Sequence, residues 1–198
     1  MAENLKTTKL NDGSSIANII SDSVWKNLTT YGYCWYENNP ANKDMNGAYY
    51  NWYVVNSGKL CPAGWHVPGD NEWTELEIYL QNNGYNYDGS IDTDNDRETN
   101  NKIALSLAKA TGWRLSEKEG AVGNVTASVY KNKTGFTAIA AGQRNNQGMF
   151  SGFTFDGFWW SSTEYGNNAY FRIINHDRSD VQRSMADKKH GFSVRCVI

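Results

Sequence analysis

The stretch that decides the fold is Leu60-Cys61-Pro62-Ala63-Gly64-Trp65-His66-Val67-Pro68-Gly69-Asp70-Asn71-Glu72-Trp73. It places a thiol, an imidazole, two carboxylates and two indoles within fourteen residues, which raises the question of an active site. Cys61 has no second cysteine nearby and no obvious base to activate it. A lone histidine beside a strand end is more often hydrogen-bonded within the fold than catalytic. We therefore interpret the stretch as a structural joint, in which His66 satisfies a backbone group.

The joint connects a short predicted strand, residues 64–67, to a predicted helix. Pro68 ends the strand, because proline lacks the N–H that would continue a ladder. Asp70 is well placed as the N-cap of the helix, and Glu72 in the first turn interacts favourably with the helix dipole. This order of residues predicts a sharp change from extended to helical backbone at residues 68–70.

Hydrophobic spacing predicts two helices in the first half of the chain. Trp73, Leu76 and Leu80 recur at helical intervals and predict about three turns. A second helix is predicted at about residues 101–110. The residues expected to face the core from this second helix are Ile103, Ala104, Leu107 and Ala108.

The composition favours a single loop-rich domain over residues 1–198. Hydrophobic residues make up only 39% of the chain, whereas aromatic residues make up 14%, with 8 Trp and 12 Tyr. Trp and Tyr bury a large area per residue, and the 18 Gly supply turns. We therefore expect short strands held together by aromatic clusters.

Charge and hydropathy exclude some partners. The net charge is −2, and residues 171–198 are only mildly basic, so no nucleic-acid partner is expected. No apolar run of about 18 residues is present, so no direct membrane span is expected. The first residues lack a signal-peptide pattern, which is expected of a cytosolic, a mature or a trimmed chain. The oligomeric state is left open.

The later half reads as strands that alternate with turns. The strands are predicted at residues 136–140, 158–161, 169–174 and 192–197. An early hairpin is predicted at Asn11-Asp12-Gly13. The fold class is therefore α+β, with two helices and short, mostly antiparallel strands.

Motifs for catalysis or metal binding are not evident, so we expect no catalytic residue, no metal site and no cofactor. No Cys/His spacing resembles a zinc site. Residues 92–98 carry the alternating carboxylates of a calcium loop, but Arg97 stands where the loop needs Gly and Ile103 where it needs Glu. A solvated acidic loop is the favoured interpretation, and a weak calcium site is the alternative.

The strongest candidate for ligand binding is the segment after residue 159. It offers Tyr, Arg, Asn, His and Asp side chains on a hairpin above an aromatic platform, and Tyr and Arg are enriched where proteins bind partners. A plain hairpin with a polar loop is the alternative. The candidate ligand-binding residues are Trp160, Tyr165, Asn167, Tyr170, Arg172, Asn175, His176, Asp177, Arg178, Asp180, Gln182 and Arg183.

Several long motifs carry a family resemblance. They are Met1-Ala2-Glu3-Asn4-Leu5-Lys6-Thr7-Thr8, Tyr50-Asn51-Trp52-Tyr53-Val54-Val55-Asn56-Ser57-Gly58-Lys59-Leu60-Cys61-Pro62-Ala63-Gly64-Trp65-His66-Val67-Pro68, Gly84-Tyr85-Asn86-Tyr87-Asp88-Gly89, Trp159-Trp160-Ser161-Ser162-Thr163-Glu164 and Gly191-Phe192-Ser193-Val194-Arg195-Cys196-Val197. In this order, and over nearly the whole chain, they resemble the Fibrobacter succinogenes major paralogous domain, which is common in Bacteroidetes-type surface lipoproteins.

The resemblance implies a C-type-lectin-like fold, related to that of the formylglycine-generating enzyme, and an extracellular or cell-surface location. Relatives usually have a strand before the Met-Ala-Glu-Asn motif, so we expect an N-terminal strand to be missing. Residues 139–142 and 91–100 depart from the family pattern. The cysteine pair of the oxidase relatives is not reproduced by Cys34, Cys61 and Cys196. We expect Cys196, on the closing strand, to pair with Cys61 or Cys34.

The resemblance favours a non-enzymatic recognition domain that binds a glycan or a protein through its C-terminal loops. Some relatives are diversified by retroelements, and the mixed polar residues at 175–180 and 182–187 suit such a variable region. Two alternatives stay open. One is an enzyme, such as an oxidase of the formylglycine-generating type, and the other is a structural or adhesive module of an envelope protein.

Overall fold

One long helix and one three-stranded sheet form the centre of the architecture. The computed structural model describes residues 1–91, 101–126 and 128–198. The helices in these ranges are α1 (Asp22–Asn27), α2 (Lys43–Asn46), α3 (Trp52–Val55), α4 (Asp70–Asn82) and α5 (Ala104–Leu107). Short 3₁₀ turns lie at Tyr36–Asn38, Pro40–Asn42 and Ser128–Tyr130. Within the described ranges, none of the helices has the length and hydropathy needed to cross a bilayer.

The strands form three small sheets. They are β1 (Ala17–Asn18), β2 (Gly32–Cys34), β3 (Tyr49–Tyr50), β4 (Gln143–Arg144), β5 (Phe150–Ser151), β6 (Asp156–Tyr165), β7 (Asn168–Asn175) and β8 (Val181–Asp187). The sheet orders are β1-β2-β3, β4-β5 and β6-β7-β8. Every pair is antiparallel except β1 with β2. The predicted α+β class with mostly antiparallel strands is confirmed.

The second predicted helix is much shorter than residues 101–110. Only Ala104–Leu107 is helical, because Ala108 adopts an extended backbone and forms a parallel bridge with Ala138. Backbone bonds on both sides of this bridge join Leu107 and Lys109 to Ala138 at 2.8 Å. Strand pairing therefore overrides the helical preference of the alanines here.

The helix follows the joint as predicted, but residues 64–67 form no regular strand: only His66 pairs there, in an isolated antiparallel bridge with Val197, and the helix caps also differ. Gly69, not Asp70, is the N-cap of α4, and its N–H donates to Glu72 Oε2 at 2.7 Å. His66 was expected to bond a backbone group, but its Nε2 lies 2.7 Å from Glu72 Oε1. Because Gly69 and Glu72 cap the helix, the Asp70 carboxylate is not needed as a cap and can bond side chains outside the helix.

An irregularity in β6 docks the sheet onto the joint. Between Trp160 and Glu164, β6 has three residues where β7 has only Tyr170. Two of these three residues bond the joint directly. The Ser162 N–H donates to Pro68 O at 3.0 Å, and Thr163 Oγ1 accepts the Asp70 N–H at 2.9 Å.

Aromatic side chains fill the core, as the composition predicted. The Phe192 ring lies against the rings of Trp160, Phe171 and Phe158, with centroids 4.3, 4.8 and 5.1 Å away. A second cluster around α4 contains Trp73, Trp113 and Trp159. These two clusters lie on opposite faces of the sheet, since neighbouring residues of β6 point to opposite sides.

A disulfide ties the joint to the C-terminal segment, residues 191–198, where the predicted strand is reduced to isolated bridges. Cys61 bonds Cys196, across 135 residues of sequence, and Cys34 is a free, buried thiol. The expectation that Cys196 is bridged is confirmed, and Cys61 is its partner. The backbone of His66 pairs with that of Val197 beside the bond.

Removal of the disulfide should destabilise the domain strongly. We expect the Cys61→Ser/Cys196→Ser variant to lose about 2–5 kcal/mol of unfolding free energy, because the crosslink restricts a long loop of the unfolded chain. Chemical denaturation under oxidising and reducing conditions measures this loss. The variant serves as its own control, since reductant should shift the midpoint of the wild type and leave that of the variant unchanged. Equal midpoints for the two proteins under oxidising conditions would contradict the prediction.

Candidate ligand-binding surface

A buried arginine connects β7 to α4. Arg172 is fully buried, and its guanidinium bonds both carboxylates of the helix face. Nη1 donates to Asp70 Oδ1 at 2.7 Å, and Nε donates to Glu77 Oε1. Nη2 adds a bond to Thr74 Oγ1 at 3.2 Å. One side chain thus joins three positions on successive turns of the helix.

A second arginine uses the same carboxylate from the neighbouring strand. Arg183 lies opposite Arg172 in the β7–β8 register, so both point to the face covered by α4. Arg183 Nη2 and Nε donate to Asp70 Oδ2 and Oδ1 at 2.8 and 2.9 Å. A two-point contact of this kind fixes the plane of the guanidinium.

Burial and the arginines act in opposite directions on the two carboxylates. Burial raises the pKa of Asp70, but the hydrogen bonds from Arg183 and Arg172 outweigh it, and the net pKa lies below the ordinary value. Burial also raises the pKa of Glu77, and Arg172 offsets only part of that rise. Asp70 is therefore the ionised centre of the cluster.

The fixed Arg183 supports an exposed aromatic surface. Its guanidinium lies 3.9 Å from the centroid of the Tyr170 ring, and the Tyr165 ring lies 5.4 Å from the Tyr170 ring. Met185 faces Tyr170 across the β7–β8 pair. Tyr165 is 55% exposed and Met185 44%. We call Tyr165, Tyr170, Arg183 and Met185 the tyrosine face.

The loop after β7 forms a separate polar cluster. Asn175 Nδ2 donates to Asp156 Oδ1 at 2.6 Å, and Asp177 bonds Ser116 and Lys118. Arg178 and Asp180 form a two-point ion pair at the surface. His176 packs edge-on against the ring of Phe155. A polar cavity of about 280 Å³ lies beside Asp177, Arg178 and Asp180.

The twelve predicted ligand-binding residues therefore do not form one surface. Asn167, in the exposed turn before β7, lies beside the tyrosine face. At the other end of β7 lie Asn175, its last residue, and the loop residues His176, Asp177, Arg178 and Asp180. The five residue-to-residue steps from Tyr170 to Asn175 span about 17 Å in an extended strand. Gln182 pairs with Ile173 and points to the opposite side of the sheet from Arg183.

Two of the predicted contacts are wrong. Trp160 and Arg172 are both 0% exposed, so neither can touch a ligand that approaches from solvent. Trp160 packs in the core, where its Nε1 donates to Tyr50 O at 2.8 Å. Arg172 is a positioning residue, because it anchors the carboxylate that also holds Arg183.

Sequence reasoning missed three residues of this region. Met185 follows Val181 and Arg183 at two-residue intervals, and this alternation on a strand was the signal available for it. The sequence predicts Asp70 as a helix cap and gives Glu77 no role, since nothing local indicates that either carboxylate faces an arginine about 100 positions later. The calcium alternative at residues 92–98 lies outside the described residues.

The comparison with known families gives the assignment. Residues 1–198 match the family model described as the Fibrobacter succinogenes major domain. The chain belongs to this family. No match was found among curated proteins or among solved structures. The resemblance predicted from the motifs of this Fibrobacter succinogenes major domain is thus confirmed over residues 1–198.

Loss of Arg172 should destabilise the domain far more than loss of an exposed arginine. We expect Arg172→Met to cost about 3–5 kcal/mol of unfolding free energy. The buried Glu77 loses its arginine partner, and the Asp70 carboxylate keeps only its bonds to Arg183. Arg178→Met is the matched control, with an expected cost of about 0–1 kcal/mol for a surface ion pair. Urea denaturation at neutral pH measures both.

A double-mutant cycle separates charge from packing in this cluster. Glu77→Gln added to Arg172→Met should recover part of the loss, because the uncompensated buried carboxylate is removed. Additive losses in the double variant would contradict the electrostatic account.

Proposed function

We propose that this domain is a non-enzymatic recognition module that binds a glycan or a protein surface through the tyrosine face. The observation that carries the proposal is the pair of exposed Tyr165 and half-buried Tyr170 beside a guanidinium held by two bonds to Asp70. We further propose that the α+β scaffold is C-type-lectin-like, as the family resemblance implies.

The chemistry of the tyrosine face suits recognition. Tyrosine and arginine are enriched among the residues that dominate binding energy, since each offers area and hydrogen bonds together. The electron-rich face of an aromatic ring accepts the C–H face of a sugar or an apolar side chain. Asp70 holds Arg183 in place before a ligand arrives, so less side-chain entropy is lost on binding.

The state of the cysteines favours binding over oxidase chemistry. Cys61 and Cys196 are bonded to each other, and burial raises the pKa of the Cys34 thiol to about 12. A catalytic cysteine acts as an accessible thiolate, which a buried thiol with a raised pKa does not supply. Among the described residues, no group of three or more His, Cys, Asp or Glu side chains is arranged to hold a metal ion.

The disulfide also supports an extracellular or cell-surface location. Disulfides persist in oxidising compartments and are rare in the reducing cytosol. The Cys61–Cys196 bond belongs to motifs that carry the family resemblance, so we propose that the domain works outside the cytoplasm.

The tyrosine face should be required for ligand capture. We expect Tyr165→Ala to lower binding at least about tenfold, which corresponds to the loss of more than 1 kcal/mol typical of a central aromatic contact. Wild type and variant are compared on a glycan array and in pull-downs from surface extracts. The two assays separate a glycan ligand from a protein ligand.

Tyr79→Ala is the matched control for this experiment. Tyr79 lies on α4 and is 58% exposed. Its substitution by alanine therefore removes an exposed tyrosine ring that is not part of the tyrosine face. Equal binding by Tyr165→Ala and Tyr79→Ala would refute the proposed face. Wild-type protein that captures nothing in either assay would favour the structural or adhesive module.

Diversification of this locus should be visible in related isolates. We propose that residues 175–180 and 182–187 form a variable region, because they form the loop after β7 and the exposed outer strand β8. When the locus is sequenced from many isolates, substitutions should be concentrated in these two ranges and should be rare at the buried Val181. Substitutions spread evenly over residues 1–198 would argue against a variable region.

A further inference from the structure

A cavity far in sequence from β7 and β8 carries an excess of positive charge. Its volume is about 140 Å³, and it lies between the first residues of the chain, α2 and residues 137–139. The charged side chains that line it are Glu3, Lys6, Lys43, Asp44, Lys109 and Arg195. Four cations against two carboxylates give the lining a charge of +2, whereas the whole chain carries −2.

The innermost of these cations, Arg195, forms no ion pair within the described part of the chain, although the Glu3 carboxylate acts on its charge through space. Arg195 is 2% exposed, and its acceptors are all neutral. They are Asn4 Oδ1 at 2.8 Å and the carbonyl oxygens of Met1, Phe136 and Thr137 at 3.0, 2.7 and 3.0 Å. These bonds use four of its five N–H groups. Burial lowers the pKa of Arg195 to about 10, so the guanidinium still carries its charge at neutral pH.

A buried charge without an opposite charge is costly, and this cost favours an anion in the adjoining space. Buried charges in proteins are nearly always paired. Arg172 and Arg144, the other two fully buried arginines, both contact carboxylates. Arg195 contacts no carboxylate in the described part of the chain, and it lines the cavity.

The lysines at the rim of the cavity also carry more positive charge than the neighbouring carboxylates neutralise. Lys6 is neutralised by Asp44 at 3.1 Å and Glu3 at 3.6 Å. Lys43 and Lys109 form no ion pair within the described part of the chain, and the Lys43 ammonium lies 5.9 Å over the Trp35 ring. Both lysines therefore offer unneutralised charge to the cavity.

An unpartnered amide provides an independent sign of a missing acceptor. Asn46 lines the same cavity and is 2% exposed. Its Nδ2 is buried, and no acceptor for it lies among the described residues. Buried donors are almost always hydrogen-bonded, so an acceptor group is expected in the cavity.

We propose that this cavity binds a small oxyanion, namely a carboxylate, sulfate or phosphate group, through Arg195, Lys43, Lys109 and Asn46. A buried water needs only about 10–15 Å³, so the cavity admits a group of several non-hydrogen atoms. Oxyanions supply the several acceptor oxygens that guanidinium, ammonium and amide donors require. The site shares no residue with the tyrosine face and does not depend on the proposed function.

The test is a titration of the full chain with sodium acetate, sulfate and phosphate, each against sodium chloride at equal ionic strength. The readout is the side-chain NMR signals of Asn46 and Arg195, and the matched ionic strength removes the effect of screening. We expect saturable shifts with at least one oxyanion and none with chloride. The oxyanion with the lowest Kd assigns the class of the ligand group.

A charge-matched pair of variants identifies the site. Lys43→Gln/Lys109→Gln should raise the Kd about tenfold or more, since two charged contacts are lost. Lys9→Gln/Lys26→Gln removes the same charge outside the cavity lining and should leave the Kd within about twofold. The Tyr165→Ala variant should bind the oxyanion as the wild type does, which separates this site from the tyrosine face.

Three results would overturn the proposal. The first is the absence of saturable shifts with any of the three oxyanions. The second is an equal response to chloride, which would indicate a general effect of salt. The third is an equal loss of affinity in the two double-lysine variants, which would indicate attraction to overall charge.

Discussion

The bond between Arg172 and the carboxylates of α4 is the constraint on which the architecture depends. The sheet and the helix could pack against each other through apolar contacts at many angles. A fully buried guanidinium permits only one, because each N–H needs its acceptor at the correct distance and direction. The cluster thus fixes the angle between the sheet and the helix. Asp70 in turn fixes the position of the Arg183 side chain on the outer strand.

The joint and the C-terminal segment at residues 191–198 form a second fixed point around the same helix. The disulfide, the His66–Val197 pairing and the bonds from residues 162 and 163 all converge on the turn before α4. The position of the helix start is therefore set from the sheet, from the chain terminus and from the Arg172 cluster. A rigid frame of this kind suits a protein in which short loops and strand surfaces meet a ligand.

Local pattern predicted the elements whose residues act through their near neighbours. The helix α4 was predictable because Trp73 and Leu80 bury one face of a regular helix, and β6 and β7 because each contains a short run rich in aromatic or β-branched residues. The prediction of a helix over residues 101–110 was wrong because Ala108 pairs with Ala138, which lies 30 positions later and leaves no signal in the local sequence. The burial of Arg172 was not predictable for the same reason, since a charged residue in a strand is ordinarily exposed. The Cys196 pairing stayed open because spacing alone favours neither partner.

The two-residue turn between β6 and β7, and not the length of the irregular segment, decides which side of the sheet Tyr165 occupies. Tyr165 stands opposite Asn168 across this turn, and Asn168 shares a face with Tyr170 because the two are two positions apart in β7. Residues 161–163 bulge from the ladder opposite Tyr170, and β-bulges take up extra residues without changing the pairing on either side. Insertions and deletions confined to residues 161–163 are therefore expected to leave Tyr165 beside Tyr170, whereas a change in the length of the turn would put another residue of β6 in that place.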